Sequence, residues 1–253
     1  MSLTGHHAVV TGAGSGIGRA TAERLAEAGC QVTLIGRKRA RLDETVDRIG
    51  DLAFAAPGDV TDPDALAAAI EVGRDRFGPV DILINNAGAA SSAPFLKADA
   101  GAFRAMLALN LEAPAEAARL VLPGMLTRRW GRIVNVASTA GLKGYAYVSA
   151  YVAAKHGLVG LTRALALEVA AMGVTVNAVC PGFTDTDLVA RSVEALVGKT
   201  GRTEEEARAA LAASNPQGRL ITPDEVATTI VWLCGDEASG VNGAALPVAG
   251  GEL

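Results

Sequence analysis

One tyrosine and one lysine in this sequence have a spacing that could support acid–base chemistry. The chain has three tyrosines, and only Tyr151 is followed by a lysine four residues later, at Lys155. Residues i and i+4 lie on the same face of a helix, so the ammonium group would lie beside the phenol. A nearby cation favours the phenolate and should lower the pKa of Tyr151 from its ordinary value of about 10. The spacing alone also fits a structural pair on a solvated helix.

A serine that could join this pair lies thirteen residues before the tyrosine, at Ser138, where a predicted strand ends. In an open α/β sheet, ligands bind at the carboxyl ends of the strands. Ser138 could therefore face the same crevice as Tyr151 and hold a carbonyl or hydroxyl oxygen. A serine in this position is also common as an ordinary turn or cap residue.

A glycine-rich segment, Thr11–Gly18, follows the first predicted strand and precedes a helix. Its glycines, in the pattern Gly12-x-x-x-Gly16-x-Gly18, would let the backbone approach a pyrophosphate at the positive end of the helix dipole. The pattern is not a P-loop, because Arg19 follows where a Lys-Ser/Thr pair is needed, and it is not a strict G-x-G-x-x-G fingerprint. A glycine-rich turn that binds nothing is the alternative.

Taken together, these motifs resemble the short-chain dehydrogenase/reductase family over nearly the whole chain. Ser138, Tyr151 and Lys155 match the catalytic triad of the family at its usual spacing, and Asn110 matches its fourth catalytic residue. The resemblance implies that Lys155 also holds the nicotinamide ribose. It implies further that Asn110 supports a water that relays protons to Lys155.

Other family motifs assign further contacts with a dinucleotide. Asn85–Gly88 resembles the segment where the adenosine ribose approaches the backbone, with Asn85 bridging neighbouring strands. Asp59–Val60 resembles the pair that contacts adenine. Pro181–Thr186 resembles the segment that holds the nicotinamide carboxamide, although Thr184 stands where Ile or Val is usual. The residues expected to bind the cofactor are Gly12, Ser15, Gly16, Ile17, Gly18, Arg37, Asp59, Val60, Asn86, Ala87, Gly88, Tyr151, Lys155, Pro181, Gly182, Thr184 and Thr186.

The end of the second predicted strand indicates which nicotinamide cofactor to expect. NAD enzymes of this fold usually place Asp or Glu there to accept from the ribose 2′-hydroxyl, but this chain has Gly36. Without that carboxylate a 2′-phosphate is not repelled, and Arg37 could pair with it. We therefore expect NADP(H), with NAD(H) as the alternative. The neighbouring Lys38, Arg39 and Arg41 also fit a solvated helix face.

The alternation of apolar and amphipathic segments predicts a parallel sheet that positions these residues. Its strands are almost wholly apolar, as expected when helices cover both faces. We predict strands at 8–11, 31–35, 52–56, 81–85, 132–137, 174–180 and 245–248. Helices are predicted from the glycine-rich turn to 28 and at 38–49, 62–77, 103–128, 149–171, 187–213 and 223–234. Residues 1–253 should form one doubly wound, Rossmann-type α/β domain, from which residues 185–215 depart as a pocket wall, a lid or a plain surface helix pair.

Composition excludes several other classes of protein. Half of the 253 residues are hydrophobic and a fifth are charged, so the chain can form a large core rather than remain disordered. The net charge of −4 argues against a broad nucleic-acid surface, and no apolar run reaches the ~18 residues of a transmembrane helix. Three scattered cysteines and the absence of a signal-peptide layout favour a cytoplasmic location. No metal site is expected, because His6 and His7 lack suitably spaced ligands.

We expect an oxidoreductase that interconverts a ketone and a secondary alcohol, without a nucleic-acid or membrane partner. The C-terminal third resembles reductases and dehydrogenases of 3-oxoacyl or 3-hydroxyacyl thioesters and small ketones, and the family implies a homotetramer. The residues expected around the substrate are Ser138, Tyr145, Val148, Phe183 and Leu188. Two alternatives stay open: an NAD-dependent catabolic alcohol dehydrogenase on the same fold, and a non-catalytic nucleotide-sensing protein.

Overall fold

A seven-stranded parallel sheet forms the centre of the computed structural model, which describes residues 2–253. The strands are β1 (His7–Thr11), β2 (Gln31–Gly36), β3 (Ala53–Pro57), β4 (Ile82–Asn85), β5 (Gly131–Val136), β6 (Val174–Pro181) and β7 (Ala245–Val248). Every predicted strand is found, with each end within one residue. The spatial order β3-β2-β1-β4-β5-β6-β7 reverses between β1 and β4, which opens a crevice at the carboxyl edge. The predicted Rossmann-type fold is confirmed.

Helices cover both faces of this sheet, which explains why its strands are apolar. They are α1 (Gly16–Glu27), α2 (Arg39–Ile49), α3 (Pro63–Phe77), α4 (Ala100–Leu107), α5 (Ala113–Arg128), α6 (Ser149–Val169), α7 (Asp187–Thr200), α8 (Glu204–Ala212) and α9 (Pro223–Cys234). Ala8 and Val10 of β1 pack with α1, α2 and α9, whereas Val9 packs with α3, α5 and α6. Alternate residues of a strand point to opposite faces, so each β1 residue meets an apolar layer. Within residues 2–253, none of the helices combines the length and apolarity that crossing a bilayer requires.

Side-chain caps define the starts of two helices. The Asp62 carboxylate accepts the amides of Asp64 and Ala65 at the start of α3. Thr222 forms a reciprocal capping box with Glu225 at the start of α9. Both helices have proline in the first turn, where an amide hydrogen is not needed.

The helix predicted over residues 103–128 is not continuous. A π-helical turn at Ala108–Glu112 separates α4 from α5, and the amide of Ala113 donates to the carbonyl of Ala108, five residues back. Pro114 accounts for the break, because it has no amide to donate to the carbonyl of Asn110 and its ring would crowd that group. The wider turn carries Asn110, which is fully buried.

The helix predicted over residues 187–213 is also divided in two. α7 ends at Gly201, which has a φ of 70°, and α8 begins after Thr203. Thr203 forms a capping box with Glu206, and this Thr-x-x-Glu signal was present in the sequence. The apolar faces of α7 and α8 form a small core of their own around Val189, Val193 and Ala207.

A buried polar network joins the centre of the sheet to α6. Asn85 Nδ2 donates to Asn135 Oδ1 at 2.9 Å and to the carbonyl of Pro114 at 3.2 Å. Asn135 Nδ2 donates in turn to Thr162 Oγ1 at 2.9 Å. These bonds tie β4 to β5 and β5 to α6, so the strand end near Ser138 and the helix of Tyr151 keep a fixed relation. The structural role predicted for Asn85 is confirmed.

Removing either amide from this network should destabilise the protein. We expect Asn85→Ala and Asn135→Ala each to lower the free energy of unfolding by ~1–3 kcal/mol, because the partner is left buried and unpaired. The double variant should lose less stability than the sum of the two single losses, since both changes remove the same bond. Urea unfolding of the four proteins measures this, and strictly additive losses would contradict a coupled network.

Candidate active site

The predicted tyrosine–lysine pair lies at the start of α6, on the carboxyl edge of the sheet. Lys155 is 4% exposed, and its Nζ donates to the carbonyl of Val136, at the end of β5, at 2.8 Å. The same Nζ lies 5.7 Å from the ring centre of Tyr151. As the spacing predicted, the cation and the phenol share one face of the helix.

Burial changes the acid–base properties of both groups. It lowers the pKa of Lys155 from 10.5 to about 8, because the charged ammonium loses hydration. It raises the pKa of Tyr151, and the interaction with the Ser138 hydroxyl opposes this shift without reversing it. The predicted lowering of the Tyr151 pKa is therefore wrong for this structure, since desolvation of the phenolate is the largest effect. Tyr151 is neutral at neutral pH.

Ser138 lies just beyond β5, between the sheet and α6. Its backbone is extended, and its Oγ accepts the amide of Ala140 at 3.1 Å at the start of a short 3₁₀ turn, Thr139–Gly141. Cys180 of β6 is fully buried beside it, and burial raises the pKa of this thiol to about 11. Cys180 is thus a neutral thiol at neutral pH, which leaves the hydroxyls of Ser138 and Tyr151 as the reactive groups here.

Asn110 faces the lysine across a space that a glycine keeps open. Its Nδ2 donates to the carbonyls of Ala89, at 3.0 Å, and Met106, at 3.1 Å. Its Oδ1 is buried and has no hydrogen-bond partner among the described residues. A Cβ on Gly88 would lie 2.9 Å from this Oδ1 and 3.7 Å from Lys155 Nζ, so both groups border the same small space. The structure thus brings Asn110, Ser138, Tyr151 and Lys155 together.

The glycine-rich turn forms a backbone cradle at the other end of the crevice. Gly12 and Gly16 have positive φ angles of 68° and 53°. A Cβ on Gly18 would lie 2.4 Å from the carbonyl oxygen of Gly12, which a side chain cannot do. The Asn86 side chain holds the turn by donating to the carbonyl of Thr11 at 2.9 Å. This is the geometry that a backbone approaching a pyrophosphate needs.

The residues around this cradle leave the start of α1 open to an anion. Ser15 precedes α1, and its side chain caps none of the helix amides. These amides lie at the positive end of the helix dipole. Ile17, Val60 and Ala87 pack against the cores on the two faces of the sheet.

Arg37 lies where the sequence predicted a contact with a 2′-phosphate. It follows β2, its side chain is 76% exposed, and its Nη1 is 4.0 Å from the carboxylate of Asp59. Hydrogen bonds from Thr61 hold the pKa of Asp59 below its ordinary value, and Arg37 adds to this effect. Arg37 is therefore only loosely paired and free to reorient.

The neighbouring arginines are already engaged by carboxylates. Arg39 pairs with Asp43 one turn along α2, at 2.8 Å. Arg41 pairs with Asp187, the first residue of α7. Arg39 thus belongs to a solvated helix face, whereas Arg41 links α2 to the segment after β6.

The segment after β6 reaches back to the glycine-rich turn. Thr184 is buried, and its Oγ1 donates to the carbonyl of Gly182 at 3.0 Å within the same turn. Thr186 donates to the carbonyl of Thr184 at 3.2 Å. Its methyl group would lie 3.0 Å from a Cβ on Gly16. Pro181–Thr186 and the cradle therefore border one continuous crevice.

Two of the predicted substrate residues meet beside the catalytic pair. The rings of Tyr145 and Phe183 contact edge to face, with their centres 6.5 Å apart. Tyr145 is close enough to Tyr151 for the charge on one phenol to raise the pKa of the other. Val148 immediately precedes α6, and Leu188 lies in the first turn of α7.

The sequence did not reveal a buried carboxylate beside Tyr145. The Glu252 side chain is 2% exposed and accepts a hydrogen bond from the Tyr145 hydroxyl. Its Oε1 also lies 3.1 Å from Lys143 Nζ, and Thr139 Oγ1 lies 2.7 Å from the Tyr145 oxygen. Glu252 and Tyr145 are 107 residues apart, so no local pattern could have indicated this contact.

The side chains that most often hold metal ions have other surroundings in the part of the chain that the structure describes. Residues 2–253 contain no group of three His, Cys, Asp or Glu side chains arranged to hold a metal ion. His7 is instead buried and bonded to Thr33 Oγ1 at 2.8 Å. The three cysteines are free thiols.

Comparison with other proteins identifies the family. Residues 6–196 match the family described as short chain dehydrogenase. The 3-oxoacyl-(acyl-carrier-protein) reductase FabG of Vibrio cholerae is 38% identical, over 99% of this chain and 98% of its own length. The D-beta-hydroxybutyrate dehydrogenase of Rhizobium meliloti is also 38% identical, over 96% of this chain and 97% of its own.

A solved structure agrees with these sequence relatives. A variant of actinorhodin polyketide ketoreductase, determined with NADPH, superimposes with a TM-score of 0.94 at 37% identity, over 100% of this chain and 99% of that one. The chain therefore belongs to the short-chain dehydrogenase family, whose members are NAD(P)(H)-dependent oxidoreductases.

Proposed function

We propose that this protein is an NADP(H)-dependent reductase that converts a ketone to a secondary alcohol, and the reverse. The observation that carries the proposal is the buried Lys155 ammonium beside Tyr151 and Asn110. Burying a cation costs folding free energy, so a buried ammonium marks a candidate functional site. This ammonium lies next to a neutral phenol at the carboxyl edge of the sheet. A nucleotide-sensing protein would have no physical need for this set of residues.

Several groups along the crevice support the binding of a dinucleotide. The glycine cradle and the uncapped start of α1 suit a pyrophosphate, and Arg37 suits a 2′-phosphate. When bound, the cofactor supplies the hydride for the carbonyl carbon. The residues proposed to hold it are those expected from the sequence: Gly12, Ser15, Gly16, Ile17, Gly18, Arg37, Asp59, Val60, Asn86, Ala87, Gly88, Tyr151, Lys155, Pro181, Gly182, Thr184 and Thr186.

Ser138 and Tyr151 act on the carbonyl oxygen of the substrate. The Ser138 hydroxyl donates a hydrogen bond that fixes this oxygen. The Tyr151 phenol donates its proton as negative charge develops there. Its raised pKa keeps it protonated in the ground state, and the Lys155 cation favours the phenolate that forms as the proton leaves.

Lys155 and Asn110 restore the proton to the tyrosine. The Lys155 side chain is a charged ammonium over most of the neutral pH range, because its pKa is about 8. Asn110 Oδ1 borders the same space as Lys155 Nζ and has a free acceptor site. A water at this position would connect the lysine to the amide oxygen and complete a proton relay.

The substrate class follows from the relatives and from the pocket. FabG reduces, by its name, a 3-oxoacyl group, and the pocket beside Tyr145 and Phe183 is partly apolar. We infer a 3-oxoacyl thioester or a small ketone as substrate, with Val148 and Leu188 completing the wall. On this view residues 1–253 act as one catalytic domain, with residues 185–215 closing the pocket. The homotetramer and the cytoplasmic location stay predictions.

Replacing the proton donor should abolish most of the activity. We expect Tyr151→Phe to lower kcat by at least ~100-fold, because general acids contribute about 10²–10⁴-fold, while NADPH binding persists. Tyr147→Phe is the matched control, since Tyr147 is 64% exposed and lies outside the catalytic set. NADPH oxidation with an acetoacetyl thioester or a small ketone measures both. Near-full activity of Tyr151→Phe would sink the assignment.

The cofactor preference should depend on Arg37. The wild type should show a higher kcat/KM with NADPH than with NADH, and Arg37→Ala should reduce this ratio about tenfold or more, because a charge-assisted bond to the 2′-phosphate is lost. Arg39→Ala is the matched control, because Arg39 already pairs with Asp43. A wild type that prefers NADH, or equal effects of the two variants, would refute the NADP(H) assignment and favour the NAD-dependent alternative.

Lys155 should also leave a signature in the pH dependence of stability. Its folded-state pKa of about 8 is below the ordinary 10.5, so between these values the unfolded chain binds more protons than the folded one. Stability from this group therefore rises with pH across that window. Relative to Lys155→Met, the wild type should gain on the order of 1–3 kcal/mol between pH 7.5 and about 10. Denaturant unfolding measures the difference, and a flat or falling difference would rule out a desolvated ammonium.

A further inference from the structure

An ion pair that the mechanism does not use lies on the substrate side of the catalytic pair. The Glu252 carboxylate accepts a hydrogen bond from the Tyr145 hydroxyl and lies 3.1 Å from Lys143 Nζ. Because the Tyr145 hydroxyl donates to Glu252, its oxygen accepts a hydrogen bond from the hydroxyl of Thr139, the residue next to Ser138. The carboxylate is thus two hydrogen bonds away from the residue that follows the catalytic serine.

Lys143 is the one basic residue between Ser138 and Tyr151 in the sequence. Its side chain is 37% exposed, and its Nζ lies 5.2 Å from the ring centre of Tyr145. An unpaired ammonium here would attract anions to the side of the pocket where the rings of Tyr145 and Phe183 lie. Glu252 neutralises that charge.

The other oxygen of the carboxylate lies against the turn after β6. Its Oε2 is buried without a hydrogen-bond partner among the described residues. The same oxygen would lie 2.9 Å from a Cβ on Gly182, in the turn after β6. A side chain at this position would make the carboxylate shift, so Glu252 lies between the loop that carries Tyr145 and the turn that carries Gly182.

We propose that Glu252 is a specificity-determining residue: by neutralising Lys143, it makes the enzyme select neutral ketones over ketones that carry a free carboxylate. This inference rests on the proposed reductase function and names its substrate class. Lys143 Nζ also donates to the backbone carbonyl of Glu252 at 3.2 Å, which a side-chain change leaves in place. Removing the negative charge of Glu252 leaves the Lys143 ammonium without a counter-charge, so that it can pair with the carboxylate of an anionic substrate. Glu252 acts through Lys143 and takes no part in proton transfer.

Two substrates that share one reacting ketone test this directly. Ethyl acetoacetate is neutral and acetoacetate is anionic, so the ratio of their kcat/KM values with NADPH isolates the effect of charge. The wild type should favour the ester, and Glu252→Gln should shift the ratio toward acetoacetate about tenfold. Glu252→Asp, which keeps the charge, should retain the wild-type ratio. Adding Lys143→Met to Glu252→Gln should remove the shift.

The ratio separates this role from a merely structural one. A loosened pocket would lower both kcat/KM values and would not respond to Lys143→Met. An unchanged ratio in Glu252→Gln, or a wild type that favours acetoacetate, overturns the inference. Calorimetric binding of the two compounds to the NADP⁺ complex gives the same comparison without turnover, so it decides the inference if neither ketone is reduced. Absence of turnover in the wild type would instead count against the proposed function.

Discussion

The Lys155 ammonium is held inside the protein at the carboxyl edge of the sheet, and much of the surrounding structure accommodates it. The carbonyl of Val136 accepts one of its protons at 2.8 Å. Gly88 leaves space beside it, where a Cβ would lie 3.7 Å from Nζ. The helix break required by Pro114 brings the buried amide of Asn110 to the same space. Burial lowers the lysine pKa to about 8, so the site is maintained at a cost in folding free energy.

Local sequence patterns were sufficient for the sheet and for the placing of Tyr151 and Lys155 on one helix face. Apolar runs between turn signals defined the strands, because strands covered on both faces have few polar positions. The spacing of Tyr151 and Lys155 reflects the geometry of a single helix and needs no tertiary information. The helix break at Asn110 was also readable in principle, since a proline four residues later cannot donate to its carbonyl. The prediction of one helix over residues 103–128 overlooked that signal.

Features that depend on tertiary packing could not be predicted in this way. The pKa of Tyr151 was expected to fall, because the sequence shows a nearby cation but not the desolvation that raises this pKa. The contact between Glu252 and Tyr145 joins residues 107 positions apart. Arg41 seemed equivalent to its basic neighbours, but it pairs with Asp187 at the start of α7. Each of these depends on how separate elements meet.

The central claim is that the residues around Lys155 and Tyr151 direct hydride from a nicotinamide to a ketone carbon. The most direct measurement uses NADPH deuterated at the transferable position together with an acetoacetyl thioester. Mass spectrometry of the product then locates the label. We expect one deuterium at the new carbinol carbon, formed in step with NADPH oxidation. Tight NADPH binding without any consumption, or an alcohol that carries no label, would contradict it.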